Sequence, residues 1–171
     1  TEASFVYDPQ ILRVTDPVCL TGYWQSELYF FEFSNLVRQE FLLREKVDAA
    51  NLKIYDEIVT LDERSVSLHV RRGDYVSNPH NTSYHGLCSL DYYASAIRYI
   101  ERRVDNPHFF VFSDDLQWVV ENLSIPYAVT FVDVNGPDHG ARDIALMASC
   151  HHHVIANSSF SWWGAWLNPR P

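Results

Sequence analysis

His69-Val70-Arg71-Arg72-Gly73-Asp74-Tyr75 places two guanidinium groups, a glycine and a carboxylate directly after a short apolar segment. Arginine presents planar donors that match phosphate oxygens two at a time, and a glycine lets a ligand come close to the backbone. The plainer reading of Arg71-Arg72 is a surface ion pair with Asp74, which fits poorly with a position right behind a buried strand. Ser113-Asp114-Asp115 adds a hydroxyl and two carboxylates. Such a pair either holds a divalent cation or has Asp114 capping the next helix while Asp115 faces water. Asn157-Ser158-Ser159-Phe160-Ser161 sets serines where a helix begins, and the free backbone N–H groups of a helix start attract anions. The three sets together suit a phosphate ester. Cys150-His151-His152-His153 has zinc-ligand residue types, but on a strand His151 and His153 share one face while His152 takes the other, and no third ligand converges. Neither a Gly-x-Ser-x-Gly elbow nor a Walker A loop is present.

The elements that must position these residues alternate from residue 65 onward. Val66–Val70 predicts a short strand without clear alternation, as buried parallel strands show. A helix capped by Ser89 runs to about Val104, with Tyr92, Tyr93, Ala96, Ile97 and Ile100 on one side. Strands over 109–112, 128–132 and 153–156 and helices over 115–123, 141–149 and 161–167 complete the pattern. This is an α/β unit with a mostly parallel sheet, a Rossmann-like half. In open sheets of this kind ligands bind beyond the carboxyl ends of the strands, so the three polar sets are expected to line one crevice. Trp162, Trp163 and Trp166 read as core and interdomain packing ahead of a carbohydrate platform. Ahead of residue 65 lie an aromatic cluster around Tyr23 to Phe33, a helix capped by Ser34 and reaching Arg44, and a second helix from about Val47 to Tyr55.

Composition narrows the class. The chain has 171 residues, of which 47% are hydrophobic, 20% charged and 15% aromatic, which excludes disordered, collagen-like and coiled-coil chains. A net charge of −9 disfavours a duplex nucleic-acid binder. No apolar run approaches the roughly 20 residues that span a bilayer. Cys19, Cys88 and Cys150 are odd in number and widely spaced, as expected of free or buried thiols. Acidic excess is stronger in residues 1–64 than in 65–171, and the domain boundary is expected there. A start at Thr1 without an initiator Met, and an end at Pro171 straight after an apolar stretch, are expected of a fragment whose anchor or targeting segment lies elsewhere.

The residues also resemble a known family. His69 to Tyr75, followed by His85-Gly86-Leu87-Cys88-Ser89 and Tyr92-Tyr93, resembles its first motif, and Phe112-Ser113-Asp114-Asp115 with Trp118 its second. Asp143-Ile144-Ala145-Leu146-Met147 and Ile155 through Asn168 form the most specific stretch, and Gly22 to Phe30 is similar to the region ahead of the motifs. Over roughly residues 20–168 the chain is similar to the α-1,2-fucosyltransferases of glycosyltransferase family 11.

That resemblance implies a two-domain GT-B architecture. Residues 1–64 would be part of the N-terminal, acceptor-side domain, and 65–171 a Rossmann-like GDP-fucose-binding domain truncated at its C-terminus. It implies L-fucose transfer from GDP-β-L-fucose to a galactose 2-hydroxyl with inversion, and no metal. By similarity Arg72 grips the β-phosphate with Arg71 in support, His69 and Asp143 meet the guanosine, and Ser158, Ser159 and Phe160 surround the diphosphate. Ser113 and Asp114 line the same crevice. Asp74, then His85, is the candidate base. The expected partners are the GDP-fucose donor and a galactose-terminated glycan, with no nucleic acid. Any membrane association would reside in segments outside these residues. A bacterial enzyme at the cytoplasmic face is favoured over a Golgi one. A fucosyltransferase of another linkage, or a non-catalytic nucleotide-binding module, stays open on the residues alone.

Overall fold

The computed structural model describes residues 1–2, 4, 6–73 and 86–170. The chain forms two compact units, Thr1–Leu42 and Leu43–Pro171.

In the first unit short 3-10 turns at Pro9–Arg13, Glu27–Tyr29 and Phe31–Phe33 lead into α1, Ser34–Glu40. Tyr29 organises it. Its hydroxyl accepts from the Asp8 backbone N–H at 2.9 Å, and its ring meets Tyr7 and Trp24 edge-on. Two sequence expectations change here. Ser34 is the first helical residue, not the cap, and Phe33 at the cap position offers no side-chain acceptor. The helix also stops at Glu40.

The second unit opens with α2, Ala49–Leu61, whose Asp48 cap accepts from Asn51 N–H at 2.9 Å. It runs six residues past the expected Tyr55, because Ile54, Ile58 and Leu61 continue an apolar stripe that packs on the sheet side of the unit. The units therefore divide ahead of α2, whereas the charge pattern changes behind it.

Four parallel strands follow: β1 Ser65–Val70, β2 His108–Ser113, β3 Ala128–Phe131 and β4 His152–Val154, in the order β3-β2-β1-β4. β1 is central, with Val66 opposite Phe109 on one side and His152 on the other. Between them lie α3 Leu90–Glu101, α4 Leu116–Asn122 and α5 Gly140–Ser149, and α6 Ser159–Leu167 closes the unit. Successive connections move outward from β1 to β2 to β3, then return past β1 to β4. The direction of winding therefore reverses between β1 and β4.

Each strand divides its side chains between two cores, as period-two geometry requires. Val66, Leu68, Val70, Phe109, Val111 and Val154 pack under α3 and α4, against Tyr93, Ile97, Ile100, Val119 and Leu123. Phe110 and Phe112 face the opposite way, against Ile54 and Ile58 of α2 and Leu146 and Met147 of α5. Burying one such side chain fully contributes about 1.5–3 kcal/mol. β1 in fact alternates strictly, polar with apolar, and all six of its residues are buried. Its polar face (Ser65, Ser67, His69) lies inside the protein, so alternation here marks two different cores, with no solvent face.

Candidate functional site

β1 ends at Val70, and the chain turns through Arg71, Arg72 and Gly73 at the point where the winding reverses. One carboxylate shapes that turn. Asp114, just past β2, accepts from the Arg72 backbone N–H at 2.8 Å and pairs with Arg71 Nη1 at 3.0 Å. Gly73 is required by the same contact, since a Cβ there would run into Asp114 Oδ2 and sit 3.1 Å from its Cγ. Asp114 is thus not the helix cap expected from sequence. Asp115 is: its Oδ1 accepts from Trp118 N–H at 3.2 Å to start α4, and its Oδ2 lies 3.3 Å from Arg72 Nε. Ser113 spends its hydroxyl on the turn, accepting from Asp115 N–H at 3.0 Å.

Arg72 is held on a second side by an aromatic face. Its Cζ sits 3.5 Å from the centroid of the Trp118 ring, a cation–π geometry. Its side chain is 18% exposed. Nη1 and Nη2 make no hydrogen bond to any described residue. Sequence reasoning placed Trp118 in a motif but assigned it no role, since its distance from Arg72 exists only once α4 is folded against β1.

His69, the last polar residue of β1, is 4% exposed, and its Nδ1 has no hydrogen-bond partner among the described residues. Burial pushes its pKa down to about 4; Asp114 works against that shift and Arg71 with it. The ring is therefore neutral at ordinary pH, keeping one donor and one acceptor. An unpaired buried polar atom is rare enough to mark a place where a ligand or water belongs.

Across the reversal, β4 leads into the start of α6. Ser158 accepts from Phe160 N–H at 3.3 Å. Ser161 accepts from Ala156 N–H at 3.2 Å and donates to the Ser158 carbonyl. Tyr92 of α3 donates to the Ile155 carbonyl at 2.6 Å and ties that helix to the same turn. The Phe160 ring lies 5.4 Å from that of His69 and within 3.1 Å of where a Cβ on Gly140 would be. It links the end of β1 to the starts of α5 and α6. Arg71, Arg72, Ser113, Asp114, His69, Ser158, Ser159 and Phe160 are thus gathered at one end of the sheet.

Asp143 is placed differently. Its carboxylate accepts from Asn135 Nδ2 at 2.7 Å, and Asn135 exchanges amide bonds with Asn51 of α2. Burial raises its pKa. Asn135, beside the Asn135-Gly136 turn signal, was missed from sequence. Asp74 and His85 lie outside the described residues. In the middle of β4 His153 Nδ1 is 2.8 Å from Ser67 Oγ and Nε2 2.9 Å from Asn168 Nδ2, so both ring nitrogens are already engaged. No cluster of His, Cys, Asp and Glu able to hold a metal occurs among the described residues.

A parallel sheet with arginines, serines and a helix start gathered where the winding reverses defines a Rossmann-like ligand-binding domain. The profile of Glycosyl transferase family 11 matches residues 12–171, and the chain belongs to that family. It is 43% identical over 151 residues to an alpha-1,2-colitosyltransferase of Escherichia coli, covering 85% of this chain and 50% of that protein. It is 37% identical over 161 residues to the O-antigen biosynthesis glycosyltransferase WbnK of E. coli, covering 92% and 53%. It is 32% identical over 155 residues to the galactoside 2-alpha-L-fucosyltransferase SEC1 of Bos taurus, covering 88% and 42%. The chain spans about half the length of these curated relatives. No solved structure matches it. No helix among the described residues is long and apolar enough to cross a membrane.

Proposed function

We propose that the protein transfers a 6-deoxyhexose, L-fucose in the first instance, from a GDP-linked donor to the 2-hydroxyl of a galactoside with inversion. The observation that carries this reading is Arg72. Its guanidinium is fixed by Trp118 and Asp115 at the reversal point, with both Nη atoms unengaged by any described residue. As the bond from the sugar C1 to the β-phosphate oxygen breaks, GDP leaves with the electron pair and the sugar becomes oxocarbenium-like. Positive charge held at the phosphates favours that state over the ground state. The galactose oxygen attacks the opposite face and loses its proton, for which Asp74 and then His85 are the candidates. Neutral, buried His69 suits an uncharged hydrogen bond to the nucleotide, and Ser158, Ser159 and Phe160 suit the diphosphate at the start of α6. Asp143 is assigned to the guanosine. We infer metal-independent transfer, because an arginine pair at the diphosphate supplies the positive charge that a metal supplies elsewhere.

The 43% identity to a colitosyltransferase favours a second donor, GDP-colitose, for the same crevice and linkage. The two E. coli relatives also support a bacterial enzyme, for which we propose work at the cytoplasmic face. Transfer to a galactoside, run with each donor in the presence of EDTA and read by NMR of the product, separates these options. Arg72→Ala is expected to lower turnover by at least about 100-fold with an unchanged circular-dichroism spectrum. Turnover retained in a folded variant would overturn the proposal.

A further inference from the structure

We infer that Trp118 is a positioning residue for the diphosphate-gripping arginine, a role that rests on the GDP reading above. An arginine that must clamp a phosphate needs a fixed orientation, yet most devices that fix arginine consume what the phosphate requires. A bidentate carboxylate takes two donors and neutralises the charge. An indole face does neither: it attracts the flat side of the guanidinium through its quadrupole and leaves the in-plane N–H edge open. Here the Trp118 ring lies 3.5 Å from Arg72 Cζ, and Asp115 takes only Nε, at 3.3 Å. The same carboxylate caps α4 through the Trp118 N–H. The first turn of α4 therefore carries both restraints as one piece, and Nη1 and Nη2 make no hydrogen bond to any described residue.

The role separates cleanly from a packing role. Affinity for GDP and for guanosine is measured by calorimetry on the wild type, Trp118→Leu and Trp118→Phe, and on Trp118→Leu in an Arg72→Ala background. The wild type should bind GDP well above guanosine. Trp118→Leu should lose about tenfold for GDP and keep its guanosine affinity, which also reports that the variant is folded. Trp118→Phe, with a smaller ring of the same kind, should recover most of the loss. Once Arg72 is alanine the leucine substitution should cost nothing more, since its effect passes through Arg72. Parallel losses for GDP and guanosine, or the same loss in the Arg72→Ala background, would overturn the role and leave the diphosphate reading standing. A wild type that binds GDP no better than guanosine would overturn that reading and the Trp118 role with it.

Discussion

Asp114 shows how much of this site depends on single atoms. One of its oxygens accepts from the Arg72 backbone N–H, the other pairs with Arg71, and a Cβ on Gly73 would run into that second oxygen. Gly73→Ala should push the carboxylate off both partners while leaving the two cores untouched. A hydrogen bond to a charged group contributes about 1.5–3 kcal/mol, so GDP affinity should fall by at least about tenfold with little change in melting temperature. Calorimetric titration beside a melting curve checks this; full affinity in the alanine variant would mean that the turn does not need Asp114 where it stands. The glycine was legible in sequence as a site of close approach. What it approaches was not, because Asp114 comes from another strand, 41 residues along. The roles of Asp114 and Asp115 were exchanged for the same reason. Both are capping residues by type, and only the partner arginines decide which one caps.

At the level of elements, β1 carries the most information per residue. Its Ser-Val-Ser-Leu-His-Val pattern reads as a buried strand, and its polar side is buried as fully as its apolar one and satisfied locally. Ser65 bonds the Asp62 carbonyl and the His151 N–H, and Ser67 bonds His153. On that face His69 has no hydrogen-bond partner at Nδ1 among the described residues. This buried polar layer makes stability depend on pH. His69 and His153 both have pKa values pushed down by burial to about 4, from an ordinary 6.5, and burial moves His108 and His152 the same way. As pH falls from 6.5 towards 4, the unfolded chain takes up protons that the folded one refuses, so stability is lost across that window. Each of the two strongly shifted rings contributes up to about 1.4 kcal/mol per pH unit. Asp143, raised by burial, opposes them only within the carboxylate range. Urea midpoints should therefore drop between about pH 7 and about pH 5, with a shallower slope in His153→Gln. A flat profile would contradict the neutral buried histidines.

For the molecule as a whole, strand and helix order from residue 65 onward was legible, because apolar runs, Ser89 and the strand-end polar sets obey local rules. The division between units was not. The helix preceding β1 looks in charge like the segment before it, and only the packing of Ile54 and Ile58 against Phe110 and Met147 assigns it to the sheet. The reversal of winding between β1 and β4 then brings three separate motifs to one end of the sheet, where the proposed function sets a guanosine diphosphate against Arg72. A thermal-shift titration with GDP, UDP and ADP, run beside Arg72→Ala, tests this most directly. At a ligand concentration about 100 times Kd the stabilisation is about 2.7 kcal/mol, or about 5–10 °C for a domain of this size. The predicted result is a rise of that order with GDP alone, lost in Arg72→Ala. A folded protein that no nucleotide stabilises, or an Arg72→Ala variant that responds as fully as the wild type, would contradict it.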